Sequence, residues 1–260
     1  MQLEPGFAGP NRDSPKYEVS QESLAHYETH GFVILEAVLS VRELDELARR
    51  IDGILVGQYC VSKDAFKIGN ASSGGKEDSG RLTQQVMATR YPILDPVLRA
   101  YSEHSRLESI ASQLMRTDHA KIFQQQALVK RPGEENPTPW HQDDYYFKTD
   151  DPAVTAWIPL ELVSEYNGTL QVVAGSHTGD VFGHSAAAGN SSFQEVKFNI
   201  PTEKCVPIVM PLGGVSFHHK RTLHGSLPNK STVRRIALAQ HYSGGDVEFM
   251  RAKWLKHKRQ

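Results

Sequence analysis

The sequence contains few cysteines and no long run of apolar residues. Only Cys60 and Cys205 are present among 260 residues, which excludes a disulfide framework or a cysteine-rich metal site. We expect both cysteines to be free thiols without a chemical role, in a reducing compartment. No apolar stretch approaches the roughly 20 residues of a membrane-spanning helix, and no charged-then-apolar leader opens the chain. We therefore expect a soluble, cytoplasmic protein with no membrane partner.

An excess of charge of either sign is also missing. The 29 lysines and arginines against 30 aspartates and glutamates give a formal net charge of −1. With no long basic run, a nucleic-acid partner is not expected, and the short basic tail from Lys253 to Arg259 is interpreted as solvated. No internal repeat is visible, so the length suits one domain, with two small domains as the alternative. We expect a small-molecule substrate and either a monomer or a homodimer.

What the sequence does contain is a short motif of metal-binding residue types, His141-Gln142-Asp143. Successive side chains of a strand alternate between faces, so His141 and Asp143 would share one side, about 7 Å apart. His224 then supplies a second imidazole from elsewhere in the chain. Two histidines and one carboxylate are the ligand set of non-haem Fe(II) oxygenases, which leave other positions of the metal open. The motif alone is weak evidence, because short patterns of this kind occur by chance.

Further sequence blocks extend this pattern over most of the chain. In chain order they are His30-Gly31-Phe32-Val33-Ile34-Leu35, Lys130-Arg131-Pro132-Gly133, the His141-Gln142-Asp143 motif, Asn167-Gly168-Thr169-Leu170, Gly175-Ser176-His177 and the segment from His224 to Arg235. In this order and spacing they resemble the phytanoyl-CoA dioxygenase family of Fe(II)/2-oxoglutarate oxygenases. The resemblance implies a mainly β fold, a double-stranded β-helix (jelly-roll or cupin-like) barrel with helices packed outside. It also implies Fe(II) as the metal, 2-oxoglutarate and O2 as co-substrates, and hydroxylation of a small molecule.

The second histidine ligand has rivals in the sequence. His218 and His219 are adjacent to each other and lie close to His224 along the chain. His224 is preferred because the family spacing of Gly225-Ser226 and of Arg235 is counted from it. Together with His141 and Asp143 it completes the predicted set of metal ligands.

Arg235 is predicted to bind the co-substrate. On a strand, Arg235 shares one face with Ala237 and Ala239, which leaves room for a bound molecule beside the guanidinium. A guanidinium binds a carboxylate through two parallel charge-assisted hydrogen bonds, which suits the distal carboxylate of 2-oxoglutarate. Arg234 is one residue out of register and would point to the opposite face.

Further residues are predicted to line the pocket, and ordinary packing is an alternative explanation for some of them. The resemblance places Trp157 and Gln126 near 2-oxoglutarate, and the Ser226 hydroxyl is placed to bind the same carboxylate as Arg235. A buried core position explains Trp157 almost as well. The aromatic run Tyr145-Tyr146-Phe147 follows the metal motif and is expected to form the mouth through which substrate enters, with ordinary sheet packing as the alternative.

The periodicity of apolar residues places helices before strands. Residues 1–16, with several prolines and glycines, are predicted to form a flexible arm, followed by a single domain over 17–260. Helices are predicted from Ser20 to Gly31, from Ser40, where Glu43 completes a capping box, and twice between Pro92 and Met115. The predicted strands are Ala120–Lys130, Thr138–Asp143, Val154–Leu160, Leu170–Val173, Val206–Met210, Gly214–Phe217 and Arg234–Tyr242. This order favours a barrel with helices packed against one sheet.

The sequence thus predicts an Fe(II)/2-oxoglutarate dioxygenase that hydroxylates an aliphatic carbon of a secondary metabolite, an amino acid or an acyl derivative, with release of succinate and CO2. Halogenation is disfavoured, because halogenases related to the family lack the carboxylate that Asp143 supplies. Desaturation, cyclisation and epimerisation use the same ligands and stay open. So do a cupin-type binding protein and a zinc hydrolase, although neither needs a carboxylate-binding group such as Arg235. Lids that select the substrate are expected within Thr178 to Pro211 and within the loop from Ser62 to Gly80.

Overall fold

The computed structural model of the chain describes residues 7–10, 16–59, 66–70, 85–90, 95–187, 190–196, 199–200 and 202–246. Its α-helices are α1 (Gln21–His30), α2 (Val41–Leu55), α3 (Pro96–Ser102), α4 (Ser105–Met115) and α5 (Asp143–Phe147). Its strands are β1 (Phe32–Leu35), β2 (Phe66–Asn70), β3 (Gln85–Arg90), β4 (Lys121–Lys130), β5 (Thr138–His141), β6 (Ala153–Pro159), β7 (Leu170–Val173), β8 (His184–Ala187), β9 (Asn190–Val196), β10 (Cys205–Pro207), β11 (Val215–His219), β12 (His224–Ser226) and β13 (Arg235–Ser243). None of the helices in these ranges is long and apolar enough to cross a bilayer.

Two antiparallel sheets form the body of the protein. The larger sheet has the strand order β1-β11-β6-β13-β4-β3-β2, and the smaller sheet has the order β10-β7-β12-β5. The strands β8 and β9 form a separate hairpin within the segment predicted to contain a lid. This arrangement of antiparallel sheets is consistent with the predicted jelly-roll fold.

The first two helices begin at the predicted caps. The Ser20 hydroxyl accepts a hydrogen bond from Ser23 N at 3.1 Å, and α1 ends at Gly31, whose φ of 79° is favourable for glycine. In α2, the Ser40 hydroxyl accepts from Glu43 N at 3.3 Å, and the Glu43 carboxylate accepts from Ser40 N at 2.8 Å. The predicted capping box is therefore confirmed.

The last strand, β13, has one face packed against the helices and the other face turned toward the space between the two sheets. One face of β13 carries Ile236, Leu238 and Tyr242, which are fully buried in a cluster with Leu44 and Leu47 of α2. Burying each apolar side chain of this kind contributes about 1.5–3 kcal/mol. Alternate residues of the same strand face the other way, toward the smaller sheet. The helices therefore stabilise one side of the large sheet, and its other side is available for a site.

The predicted strand Thr138–Asp143 is too long by two residues. The strand β5 ends at His141, and Asp143 opens the short helix α5. The partner strand β12 pairs with β5 only between Thr138 and His141. Residues after His141 therefore have no β12 partner for backbone hydrogen bonds. Carboxylates are also favourable in the first turn of a helix. Gln142 stays extended, with φ −121° and ψ 133°, and His141 and Asp143 therefore still face the same side.

Part of the predicted N-terminal arm contacts the helices. Ala8 N and Gly9 N donate to the Glu46 carboxylate of α2 at 3.4 and 3.2 Å. The ring of Phe7 packs edge-on against Tyr101 of α3, with 6.4 Å between centroids. The rest of the arm up to residue 15, the basic C-terminal tail and Cys60 lie outside the described residues. The division at residue 16 stays a prediction.

Candidate metal centre

Three elements bring His141, Asp143 and His224 to one point between the two sheets. His141 ends β5, Asp143 opens α5, and His224 begins β12, where it pairs directly with His141. One ligand atom from each of the three lies within 4.8 Å of the other two, and all three side chains are buried. Asp143 Oδ1 lies 3.9 Å from His141 Nε2 and 3.7 Å from His224 Nε2. These are the residues that the sequence predicts as metal ligands.

Each of the two imidazoles is held by a backbone carbonyl behind it. His141 Nδ1 lies 2.7 Å from Pro139 O, and His224 Nδ1 lies 2.9 Å from Thr222 O. A carbonyl oxygen only accepts, so we assign the hydrogen to Nδ1 in both rings, and Nε2 then presents a lone pair to the cluster. Burial lowers the pKa of His141 and holds the pKa of His224 well below its usual range, which favours the neutral form that binds metal.

Asp143 keeps its negative charge in this buried position. Burial by itself raises the pKa of the carboxyl, but the imidazoles of His224, His241 and His218 outweigh burial and hold the pKa well below its usual range. Two neutral imidazoles and one carboxylate are a donor set that suits Fe(II) or Zn(II). The residues present therefore fit a divalent transition metal.

The two sequence rivals of His224 occupy other positions. His218 Nε2 lies 3.4 Å from Asp143 Oδ2 and its ring lies 4.4 Å from that of His224, but the group of ligand atoms close enough to share one metal consists of His141, Asp143 and His224. His219, the next residue of β11, lies 5.5 Å from the ring of His177, and burial lowers its pKa to about 4. Adjacent strand residues point to opposite faces, which separates these two histidines.

Two residues that sequence reasoning missed lie beside His218. Thr155 Oγ1 is 2.6 Å from Asp143 Oδ2, and His241 Nδ1 is 2.8 Å from the same threonine oxygen. Thr155 lies on β6 and His241 on β13. The two residues are brought together by the register between these strands, which are far apart in the chain. The alternation along β13, which puts His241 on the face of Arg235, was the one signal available in the sequence.

A small pocket between the two sheets is lined by His141, Asp143, His224, Thr155, His218 and His241 together with further residues. Its lining includes Gln126, Trp157, Ser226 and Arg235, the four residues predicted for 2-oxoglutarate. Trp157 and Ser226 are buried and Gln126 is half-buried. The Ser226 hydroxyl donates to Thr138 Oγ1 at 2.9 Å, so a lone pair of its oxygen, rather than its hydrogen, is left for other contacts.

Arg235 is a buried cation that faces this pocket. Its guanidinium donates to Leu128 O at 3.2 Å and to Gly168 O at 2.6 Å, and its charged carbon lies 5.9 Å from the centre of the Trp157 ring. Within the described ranges its Nε has no hydrogen-bond partner. Burial lowers the pKa of Arg235 to about 10, which still leaves it charged at neutral pH. A buried charge with an unsatisfied donor is costly, so the site favours an anionic guest.

The neighbouring Arg234 lies on the opposite face of the strand. Its side chain is 42% exposed and contacts Asp52 of α2 at 2.6 Å and Glu161 at 2.7 Å. These two carboxylates raise the pKa of the guanidinium, and the largest cause is the hydrogen bonding that the guanidinium donates to Asp52. Arg234 therefore links α2 to the start of β13, away from the pocket.

The aromatic run after the metal motif surrounds the cluster without lining the described pocket. The ring of Tyr146 lies 6.0 Å from that of His141, and Tyr145 stacks on His184 of β8 at 4.1 Å. Phe147 is buried and packs edge-on against His241 at 5.2 Å. Tyr145 and Tyr146 are half-buried and lie on the side of the cluster next to the β8–β9 hairpin.

Comparison with known proteins gives the family of the chain. The two antiparallel sheets are consistent with a jelly-roll fold, and the pocket between them brings together two histidines and one carboxylate that fit a divalent metal. The family model described as phytanoyl-CoA dioxygenase (PhyH) matches residues 27–237, most of the chain. The chain belongs to this family and is an Fe/2-oxoglutarate-dependent oxygenase.

Curated relatives and solved structures agree with this membership. The chain is 29% identical over 240 residues to a probable alpha-ketoglutarate-dependent hypophosphite dioxygenase of Stutzerimonas stutzeri, covering 87% of this chain and 79% of the relative. It is 24% identical over 265 residues to a phytanoyl-CoA dioxygenase of Arabidopsis thaliana, covering 92% of each. EvdO2 from Micromonospora carbonacea, solved with 2-oxoglutarate, superposes with a TM-score of 0.66 at 20% identity, over 89% of this chain and 93% of that one. The epimerase SnoN, solved with Fe3+, alpha-ketoglutarate and nogalamycin RO, superposes with a TM-score of 0.69 at 22% identity, over 88% of both chains. At these identities the two structures support the fold.

Proposed function

We propose that the protein uses Fe(II), 2-oxoglutarate and O2 to hydroxylate an aliphatic carbon of a small molecule, a secondary metabolite, an amino acid or an acyl derivative, and that it releases succinate and CO2. The proposal rests on one observation: a candidate metal-binding cluster and a candidate carboxylate-binding cation line the same pocket. The cluster of His141, Asp143 and His224 lies at one part of it, and the buried cation Arg235 lines another. In this proposal residues 17–260 form one domain, and the two sheets are the walls of a double-stranded β-helix barrel.

The metal would be held by Nε2 of His141, Nε2 of His224 and a carboxylate oxygen of Asp143. The carbonyls of Pro139 and Thr222 fix the two rings in the tautomer that this requires. Bound Fe(II) supplies the activation of O2, a chemistry that protein side chains do not provide. The role of the chain here is to present three ligands on one side and leave the other side open.

The distal carboxylate of 2-oxoglutarate would bind Arg235. Its Nε is a donor without a partner among the described residues, and its charge is buried, so a carboxylate would satisfy both. The Trp157 ring beside the guanidinium and the apolar side chains of Leu128 and Leu170 in the same lining exclude water from the contact. Ser226 and Gln126 complete the polar part of this lining.

The mouth of the pocket is proposed to lie near Tyr145-Tyr146-Phe147 and the β8–β9 hairpin. His184 of the hairpin accepts a hydrogen bond from Gln142 N at 3.1 Å, and the Gln142 side chain amide binds Asp180 O at 3.3 Å. The residue between the two predicted metal ligands thus holds the hairpin segment beside them. This contact would let the hairpin select the substrate, and it is the reason to place the lid here.

The proposal is tested by measuring succinate formed from 2-oxoglutarate with Fe(II) and, separately, with Zn(II). We expect succinate and CO2 with Fe(II), stimulated by the true substrate, and none with Zn(II). A panel of amino acids, polyketide-type metabolites, acyl thioesters and small phosphorus oxyanions would find that substrate through stimulated CO2 release, and mass spectrometry of the product distinguishes hydroxylation from desaturation, cyclisation or epimerisation. Hydrolysis of a test ester with Zn(II), or binding of 2-oxoglutarate without any turnover, would favour the hydrolase or the cupin-type binding protein instead.

A further inference from the structure

The two oxygens of the Asp143 carboxylate have different neighbours. Oδ1 faces the proposed metal position, 3.7 Å from His224 Nε2 and 3.9 Å from His141 Nε2. Oδ2 faces the large sheet, where Thr155 Oγ1 lies at 2.6 Å. A carboxylate can bind a metal through one oxygen or through both. The surroundings of Asp143 separate the two oxygens into one for the metal and one for the protein.

The direction of the hydrogen bond between Thr155 and Asp143 follows from its partners. An ionised carboxylate only accepts, so the single hydroxyl hydrogen of Thr155 goes to Oδ2. His241 Nδ1, 2.8 Å from the same hydroxyl oxygen, must then donate to it. The chain of hydrogen bonds runs from His241 through Thr155 to Asp143, and each member fixes the orientation of the next.

The register of the large sheet holds this chain in place. Thr155 of β6 pairs directly with His241 of β13 on one side and with His218 of β11 on the other. All three side chains are buried, with exposed fractions of 2%, 6% and 1%. His218 Nε2 is 3.4 Å from Oδ2 but lacks hydrogen-bond geometry, and neither of its ring nitrogens has a hydrogen-bond partner in the described part of the chain. The short contact is therefore the one from Thr155.

We propose that Thr155, oriented by His241, is a positioning residue that keeps Asp143 a one-oxygen ligand through Oδ1. The inference rests on the proposed metal site and deepens it. Two imidazoles and one carboxylate oxygen leave the largest number of metal positions open for 2-oxoglutarate and O2. A carboxylate bound through both oxygens would take up one of these positions. The hydroxyl of Thr155 disfavours this, because its hydrogen bond takes one lone pair of Oδ2 and holds that oxygen turned toward the large sheet.

The test uses the metal alone, as Co(II), whose visible absorption depends on its coordination. Thr155→Val removes the hydroxyl and keeps nearly the same side-chain volume. Thr155→Ala also removes the hydroxyl, and its smaller side chain cannot clash with the surrounding residues. Thr155→Ser keeps the hydroxyl and is the conservative rescue. Thr149→Val is the matched control, because Thr149 is a buried threonine with a hydroxyl hydrogen bond, 3.1 Å to Asp151 Oδ2, and lies outside the pocket lining.

We expect Thr155→Val and Thr155→Ala to bind Co(II) about 10- to 100-fold more weakly than the native protein, as loss of a hydrogen bond to a metal ligand commonly does. Their Co(II) absorption bands should shift in position and intensity because Oδ2 is released. Thr155→Ser and Thr149→Val should keep the native affinity and spectrum. Native spectra in both hydroxyl-free variants, affinities within about threefold of the native value, or an equal loss in the serine variant would overturn the inference. The proposed function fails separately, by absence of succinate formation in the native protein.

Discussion

His224, rather than its neighbours in sequence, completes the proposed metal site. His218 lies 3.4 Å from Asp143 Oδ2, with its ring 4.4 Å from that of His224, and His219 lies against His177. Replacing His224 leaves two ligands on one side of the metal and an empty place where the third donor lay. The identity of this one residue therefore decides whether the chain retains metal.

We expect His224→Ala to lose bound iron and all 2-oxoglutarate turnover, because His141 and Asp143 alone hold a divalent metal weakly. His219→Ala is the matched control. It removes a half-buried imidazole outside the cluster and should keep the native iron content. Iron content after anaerobic loading and desalting measures both variants. Full iron content in His224→Ala together with loss in His219→Ala would reverse the assignment of the ligand.

The sequence was enough to predict the proposed ligands, but not the residues around them. His141, Asp143, His224 and Arg235 were predicted because their residue types and spacing form a recognisable pattern. Thr155 is an ordinary strand residue in the sequence, and its role arises from a 2.6 Å contact across the sheet register. No pattern within a single strand encodes such a contact.

The proposed co-substrate site depends on the register of the last strand. The strand β13 pairs with β4 and with β6 over most of its length, which fixes Arg235 toward the pocket and Arg234 toward α2. A slip of one residue would exchange the two faces. Comparing substitutions of the two adjacent arginines, Arg234 and Arg235, therefore tests the register of this strand.

Arg235→Gln should weaken 2-oxoglutarate binding by roughly 30- to 1000-fold, about 2–4 kcal/mol, because a charge-assisted contact to a carboxylate is lost. Arg234→Gln should change that affinity little and should cost at most about 1 kcal/mol of folding stability, as exposed ion pairs do. Anaerobic titration of each iron-loaded variant with 2-oxoglutarate gives the affinities, and urea unfolding gives the stabilities. Equal losses of affinity in the two variants would mean that the strand register is wrong by one residue.

The capping box of α2 offers a test of the fold that is independent of the site. Ser40→Ala removes the hydroxyl that accepts from Glu43 N and should lower the free energy of unfolding by about 1 kcal/mol. Ser40→Thr, which can cap in the same way, should retain most of that stability. Urea unfolding measures both, and the 2-oxoglutarate affinity should not change. An unchanged midpoint for Ser40→Ala would show that the box does not stabilise α2.

Helices were easier to predict than strands in this chain, for a physical reason. The caps at Ser20, Gly31 and Ser40 are local signals, and the helices begin and end where these signals lie. A strand depends on its partner, so β5 stops where β12 stops and the prediction through Asp143 was wrong. The strand β2 lies within the segment Ser62 to Gly80 that the sequence predicts as a loop, and it is formed by pairing with β3.

At the scale of the whole molecule, the proposed ligands connect both sheets. His141 and His224 belong to the smaller sheet, whereas Arg235 belongs to the larger one. A metal and 2-oxoglutarate that bridge these residues bind the folded state only, and they should stabilise it against heat. At a ligand concentration 100 times the dissociation constant, the expected gain is about 2.7 kcal/mol.

We expect the melting temperature to rise when Co(II) is added and to rise again with 2-oxoglutarate, and a chelator should reverse both effects. Glutarate is the matched control, because it has both carboxylates but lacks the keto oxygen that would reach the metal. It should stabilise the protein less than 2-oxoglutarate at equal concentration. Equal stabilisation by the two compounds would place 2-oxoglutarate away from the metal.

In the proposed enzyme, iron and 2-oxoglutarate bind together in one pocket, between the His141–Asp143–His224 cluster and Arg235. Anaerobic visible spectroscopy of the native protein tests it most directly, because a 2-oxo acid chelated to Fe(II) produces a charge-transfer band that neither component produces alone. We expect this band with Fe(II) and 2-oxoglutarate together, no band with Zn(II), and loss of the band in Asp143→Ala. If the native protein binds Fe(II) and 2-oxoglutarate without forming the band, the two do not meet in this pocket and the proposed site is wrong.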